Sequence, residues 1–355
     1  MRKNTKKRIL PKDSWIFILV TLAFIAVNVL DNMGYVKSAL RGQLIPICVY
    51  IVLAISLNLV VGISGELSLG HAGFMGVGAF AGIVAASVFS GVENEVLRLI
   101  IAMVIGGVFA GLAGALVGIP VLRLRGDYLA IVTLAFGEIL KNIIGNLYIG
   151  MDSNGLHFAF KVEKLGMEVG GKQILSGPMG ATGINKIASF GMGFALILFT
   201  LVVVLNLINS KEGRAIMAIR DNRIAAESVG LNVFAFKMKA FVVSAFLAGM
   251  AGALYGLNFS AVQASKFNFN TSINILVFVV LGGMGNIGGS VISATLLYIL
   301  PEMLRELYDF RMIMYAIVLI IVMLFTWSPK VKDIIQALSA SKLIKRLHGR
   351  KEAED

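Results

Sequence analysis

"TSINILVFVVLGGMGNIGGSVISATLLYILPEML", Thr271–Leu304, is the stretch on which the fold turns. It holds roughly 34 mostly apolar residues. As one α-helix it would be about 50 Å long, against a bilayer hydrocarbon core of about 30 Å. In its middle stands "GGMGNIGG", Gly282–Gly289. The run therefore reads as two membrane spans broken at the glycines.

Working outward, further runs have the length and apolarity of spans. They are Ser14–Leu30, Leu44–Val61, a Gly-rich Leu69–Phe89, Leu99–Val117 ending at Pro120, Tyr128–Tyr148, Phe190–Ile208, Ala240–Leu257 and a last one at Met312–Trp327. The basic leader before the first span resembles that of a signal peptide. No A-x-A-like site follows it, so the first span is expected to stay uncleaved. Of the 355 residues, 57% are hydrophobic and 15% charged, and the mean hydropathy is +0.86. A soluble domain is about 45–50% apolar and about 25% charged. The expected class is an all-α polytopic membrane protein with about 10 spans, or 8–10 if some Gly-rich pieces do not cross fully.

The net charge of +12 is concentrated in "MRKNTKKRILPK" at the N-terminus, in Lys211–Lys239 and in "KLIKRLHGRK" near the C-terminus. Basic tails and loops beside apolar spans orient a membrane protein and touch anionic lipid; they do not call for nucleic acid. Ten spans with the N-terminus inside put all three basic segments, and the "RLRGD" loop at Arg123–Asp127, in the cytoplasm. The Gly150–Ser189 stretch and the acidic "GVENEV" loop then fall outside. The expected organisation is a basic cytoplasmic tail over 1–13, a transmembrane domain over 14–327 and a basic cytoplasmic tail over 328–355. Within the domain lie an external loop over 150–189 and a cytoplasmic loop over 210–239. A membrane, crossed several times, is the expected location.

Several chemistries find no support. Cys48 is the lone cysteine and reads as a small buried hydrophobe. His71, His157 and His348 are far apart, without metal-ligand spacing. No phosphate-binding Gly-rich loop ending in Lys-Ser/Thr occurs, so any ATP belongs to a partner, and no cofactor or enzymatic activity is expected of this chain. The pairs Gly107/Gly111, Gly114/Gly118 and Gly252/Gly256 place small residues one turn apart, for packing within the chain or at a dimer seam.

Three polar segments interrupt the apolar background. "SLNLVVGISGELSLGHAGFMGVGAF", Ser56–Phe80, sets Ser64, Glu66, Ser68 and His71 among glycines. Polar groups at membrane depth face a cavity or partners, and a broken helix offers a positive N-terminus to carboxylates. A zwitterionic amino acid suits such a place; the other reading is a solvated interfacial loop. "RLRGDYLAIVTLAFGEIL", Arg123–Leu140, puts Glu138 about halfway along a span, either functional or simply paired with Lys141. "GRAIMAIRDNRIAAESVGLN", Gly213–Asn232, is polar, basic and helix-prone, and Gly230 suits a helix C-terminus. Two short helices fit it, as a lever gripped by a soluble partner or as an ordinary charged loop.

At these residues, and at "VFVVLGGMGNIGGSVISA" (Val277–Ala294), the sequence resembles the LivM-type permease subunits of ATP-binding-cassette importers for branched-chain amino acids. The resemblance runs from about Ile45 to Trp327. It implies a helical permease fold similar to that of the cobalamin importer. It also implies an assembly with two ATPase subunits, a second related permease and an external binding protein that selects the ligand. The family's coupling motif, Glu-Ala-Ala, three residues, then Gly, is matched by Ile224, Ala225, Ala226 and Gly230, with Ile in place of Glu. On this likeness Arg220, Asn222, Arg223, Ala225, Ala226 and Gly230 couple to an ATPase. Small Ala225 and Ala226 allow close approach, and Arg220 and Arg223 meet acidic groups of the partner. Ser64, Glu66, Ser68, His71, Glu138 and Asn286 are the expected translocation-path residues. "LSGPMGATGI", Leu175–Ile184, looks like an external family motif, preceded by the insert "MDSNGLHFAFKVEKLGMEVGGKQ" that is expected to touch the binding protein. Permeases for urea and for sugars share much of the pattern, and "RLRGDYLAIVTLAFGEI" favours the amino-acid and urea side. Readings from other classes are an ion-coupled secondary transporter, which needs no ATPase, and a membrane scaffold that transports nothing.

Overall fold

A computed structural model describes residues 14–34, 38–124, 126–152, 155–166 and 171–304, with a few residues between 313 and 320. The expected tails over 1–13 and 328–355, Arg125 and most of the last expected span lie outside the described residues. Contacts divide the chain into two units, 1–296 and 297–355.

The first unit is built on helices α1 (Ser14–Asn32), α2 (Ser38–Asn58), α3 (His71–Val88), α4 (Glu95–Val121), α5 (Asp127–Gly145), α6 (Phe190–Asn209), α7 (Lys211–Asp221), α8 (Arg223–Ser228), α9 (Val233–Gly256) and α10 (Phe269–Gly282), and α11 (Ile287–Met303) runs on from it into the second unit. Of the second unit, the described residues are the end of α11 and helical residues between 313 and 320. Each of the first nine expected spans is met by a helix. By length and composition, seven helices among the described residues are able to cross a membrane. The apolar parts of α1 and α11, Trp15–Asp31 and Ile287–Met303, are shorter. Among the described residues the expected spans thus correspond to seven long helices and two short ones, and the tenth, Met312–Trp327, lies almost wholly outside them.

The core of the unit is α3, α4 and α9, with α2 packed on α9 and α6. Small residues are what bring these helices together. A Cβ at Gly78 would fall 2.2 Å from the Gly249 carbonyl oxygen, and one at Gly252 would fall 2.0 Å from that of Met75. Gly107 and Gly114 meet Met250 and Ala245 in the same way. The Gly-x-x-x-Gly pairs therefore serve packing inside the chain, where backbones approach closely enough for dispersion to hold them. The outer faces of α4 and α5 expose Val108, Leu112, Leu116, Ile131 and Ile139, as suits lipid or a partner helix.

The helical expectation needs one addition. The Gly150–Ser189 stretch, read as a loop, forms most of a five-stranded antiparallel sheet. Its strands are β1 (Tyr148–Asp152), β2 (Gly155–Ala159), β3 (Lys172–Ser176), β4 (Ala181–Thr182) and β5 (Ala261–Val262), in the order β2-β1-β3-β4-β5. The strands have five residues or fewer, so no strand carries enough period-two alternation to stand out. β5 comes from the far side of α9, and Ala181 pairs with Val262 across that distance in sequence. α6 leads from the sheet to α7, and its 20 residues span about 30 Å. The sheet and the α7–α8 pair therefore occupy opposite ends of the bundle.

Candidate functional site

The site begins where α2 loses its regular winding. Its last turn widens into a buried π-helical turn, Leu59–Ile63, and the Ser64 amide donates to the Leu59 carbonyl at 3.0 Å. Such turns inside helices mark places where function has displaced regularity. Close approach explains this one. A Cβ on Gly62 would lie 1.9 Å from Asn58 Oδ1 and 2.1 Å from the Gly285 nitrogen, so only glycine fits. Asn58 is fully buried and holds the junction together. Its Nδ2 donates to the Asn286 carbonyl at 3.1 Å and to Ser290 Oγ at 2.8 Å, and its Oδ1 accepts from the Gly285 amide at 2.8 Å.

The chain then turns back into the bundle. His71, the first residue of α3, is buried, and its Nε2 lies 2.8 Å from Ser56 Oγ. Ser56 precedes the end of the π turn by about two helical turns, so residues 64–70 climb about 10 Å alongside α2. The climb is held by α5 and α10. Thr133 Oγ1 accepts from the Leu69 amide at 3.0 Å, and Ser272 Oγ accepts from the Ala72 amide at 3.0 Å. A Cβ on Gly70 would meet the Thr133 carbonyl oxygen at 2.2 Å, so this approach also needs glycine. α3 thus starts inside the bundle, where its N-terminus presents partial positive charge. Ser64 and Ser68 are buried there, and neither Oγ has a hydrogen-bond partner among the described residues.

Charge enters from the other end of the sequence. Glu66 is paired with Lys237 of α9, with side chains only 11% and 12% exposed. Arg220 of α7 donates from Nη1 to the Gly62 carbonyl at 2.8 Å, and its Nε and Nη2 hold Asp221 at 3.0 and 2.9 Å. A helix carbonyl released by the π turn is thus satisfied by a cation. Lys239 of α9 pairs with Glu212 of α7. The amphipathic α7 is therefore tied both to the break in α2 and to the start of α9.

α7 and α8 match the two short helices expected over 213–232. Ser210 caps α7, and Asn222 caps α8 by accepting from the Ala225 amide at 3.0 Å. Arg223 and Glu227 pair one turn apart at 2.8 Å. Gly230 has φ +84°, and the Leu231 and Gly230 amides return to the carbonyls of Ala226 and Glu227 at 3.1 and 3.0 Å. That is the paired bonding of a glycine-terminated helix, as Gly230 suggested. The two alanines part company. Ala226 is buried against Ile219 and Val233, with Leu231 and Phe236 around them, whereas Ala225 is exposed. The outward apolar residues are Ile224 and Val229, 80% and 75% exposed.

The structure brings Ser64, Glu66, Ser68 and His71 into one re-entrant segment, with Arg220 touching it, and Asn58 joins Asn286 to it. Glu138 stands apart. It is the twelfth of the 19 residues of α5, pairs with Lys141, and accepts from the Phe269 amide at the start of α10 at 3.1 Å. Arg223, Asn222 and Gly230 belong to the geometry of α8 itself. Three residues escaped the sequence reading: Asn58, Thr133 and Lys237. Each is a polar group in an apolar run, and a cation such as Lys237 inside a span calls for an acidic partner.

Residues 41–326 match the family described as branched-chain amino acid transport system / permease component. The chain is 35% identical over 292 residues to the high-affinity branched-chain amino acid transport system permease protein LivM of Escherichia coli (strain K12), covering 79% of this chain and 67% of that protein. A probable branched-chain amino acid transport permease protein LivM of Methanocaldococcus jannaschii is 27% identical over 296 residues, 81% of this chain and 76% of its own. The L-arabinose ABC transporter permease protein AraH of Azospirillum brasilense is 28% identical over 285 residues, 79% of this chain and 75% of its own. The matched residues 41–326 include the π turn, the re-entrant segment and the α7–α8 pair.

Proposed function

Because this chain belongs to the family of branched-chain amino acid transport system permease components, we propose that it is the membrane-spanning half of an ATP-driven importer for leucine, isoleucine and valine. It works beside a second, related permease, two ATPase subunits and an external binding protein. Its place is the bacterial cytoplasmic membrane, with α7 and α8 inside and the sheet outside. The observation that carries this reading is the hydrogen bond from Arg220 to the Gly62 carbonyl. It joins the helix pair that offers an exposed apolar grip to the span whose winding changes at Leu59–Ile63.

Movement of α7 by a docked ATPase pulls on that carbonyl and, through Lys239–Glu212, on α9. Glu66–Lys237 lets the re-entrant segment follow α9. The start of α3, with Ser64, Ser68 and His71 around it, is where a carboxylate passes: a helix N-terminus favours the anion, and the buried serine oxygens supply donors. The binding protein sets much of the ligand choice.

The test is reconstitution of the chain in liposomes with the second permease, the ATPases and the binding protein. ATP hydrolysis stimulated by leucine, with uptake of leucine, isoleucine and valine, is expected. Uptake of L-arabinose or urea instead would move the cargo to another branch of the family. Uptake driven by an ion gradient without ATPases would overturn the coupling role of α7 and α8.

A further inference from the structure

At the sheet end of the bundle, far from the broken span, lies a second place with ligand-binding character. A cavity of about 120 Å³ sits between the last turns of α3, the first turns of α4, the end of α9, strand β3 and the chain following β4. Two cations line it, Arg98 from α4 and Lys172 from β3, and no acidic residue does. The Arg98 Nε is buried without a hydrogen-bond partner, and Arg98 has no ion pair among the described residues. A half-buried guanidinium without a carboxylate partner, in a lining that also holds Lys172, attracts an anion to the nitrogens it presents to the cavity. The remaining wall is mixed: Ile83, Ile174 and Leu257 are apolar, and Ser87 and Asn185 are polar.

We propose that this cavity binds a small aliphatic carboxylate, with Arg98 gripping the carboxylate and the isoleucines and Leu257 enclosing the tail. Size limits the ligand. An apolar cavity of about 150 Å³ holds benzene, so this one takes about six non-hydrogen atoms. Isobutyrate has that size and shape. An α-amino acid is disfavoured, because its ammonium would face Arg98 and Lys172 with no acid in the lining to receive it. The cavity therefore selects an anion, where the importer's expected cargo is a zwitterion, and the proposal stands apart from the transport reading.

The experiment uses the full-length chain in lipid nanodiscs, titrated with isobutyrate and followed by saturation-transfer NMR. Transport is not measured, so the result does not depend on any partner. Saturable binding of isobutyrate is expected, with isobutyramide and valine at least tenfold weaker. Arg98→Gln should weaken isobutyrate tenfold or more, the loss of one charge-assisted contact. Arg98→Lys should retain part of it. Ala86→Leu, which fills the cavity while leaving Arg98 in place, should also abolish binding, and it guards against misfolding of the arginine variants. Equal binding of isobutyramide overturns the proposal, as does unchanged affinity in a folded Arg98→Gln protein. Chloride or sulfate displacing isobutyrate at lower concentration would overturn the assignment of the tail.

Discussion

Replacing Ile224 and Val229 together by alanine asks whether the outer face of α8 is where the ATPase grips. Isoleucine loses three carbon groups and valine two, each worth about 0.8 kcal/mol when fully buried. Within the chain these side chains are 80% and 75% exposed, so most of that burial is still available to a partner. Scaling by exposure leaves about 2 kcal/mol for Ile224 and about 1 kcal/mol for Val229. At about 1.4 kcal/mol per tenfold, the double variant should bind the ATPase about 100-fold more weakly. Its own stability should change by less than about 0.5 kcal/mol, because neither side chain is packed. The assay is titration of labelled ATPase onto the permease in nanodiscs, with thermal unfolding of the permease alone as control. A Kd within twofold of the parent's would refute the docking face. A large fall in Tm would show that the side chains support the fold instead.

Three further perturbations address the broken span. Arg220→Ala removes the donor to the Gly62 carbonyl; transport should fall at least fivefold while the ATPases still bind and hydrolyse ATP, and Arg220→Lys should restore part of it, checked by parallel uptake and hydrolysis in liposomes. Glu66→Ala and Lys237→Ala each strand a buried charge and should each cost about 3–5 kcal/mol in unfolding, with the double variant losing less than the two together. Equal additivity in that cycle would mean that the pair does not interact. Gly62→Ala drives a methyl to within 2.1 Å of the Gly285 nitrogen, so the protein should either fail to accumulate in the membrane or melt many degrees lower. A normal melting curve would show that the π turn can open without cost.

The spans were legible because hydropathy and length are local properties: Leu44–Val61, Phe190–Ile208 and Ala240–Leu257 each fall within or almost within a helix of the structure. The break at Gly282–Gly289 was equally plain, and α10 and α11 meet there. Gly230 declared the end of α8 because a positive φ has few other uses beside a helix. The sheet was not legible. β5 joins it from residues 261–262, and pairing across a whole intervening span leaves no trace in local pattern.

The site divides along the same line. Ser64, Glu66, Ser68 and His71 could be read as a group because they are neighbours in sequence. Which of the two alanines in α8 faces inward depends on Ile219 and Val233, against which Ala226 packs, and the local sequence does not show it. Path and coupling residues looked like two separate sets, one around residue 66 and one around residue 222. In the fold the two regions touch, since Arg220 of α7 and Lys237 of α9 both reach the re-entrant segment, across 158 and 171 residues of sequence, while Glu138 stays apart. An apolar helix tells its length and its exposed face, but not the neighbour that its few polar atoms will find. Here those few atoms join α7 to the broken turn of α2, so under the proposed function a lever gripped by an ATPase needs no long relay through the packed helices between.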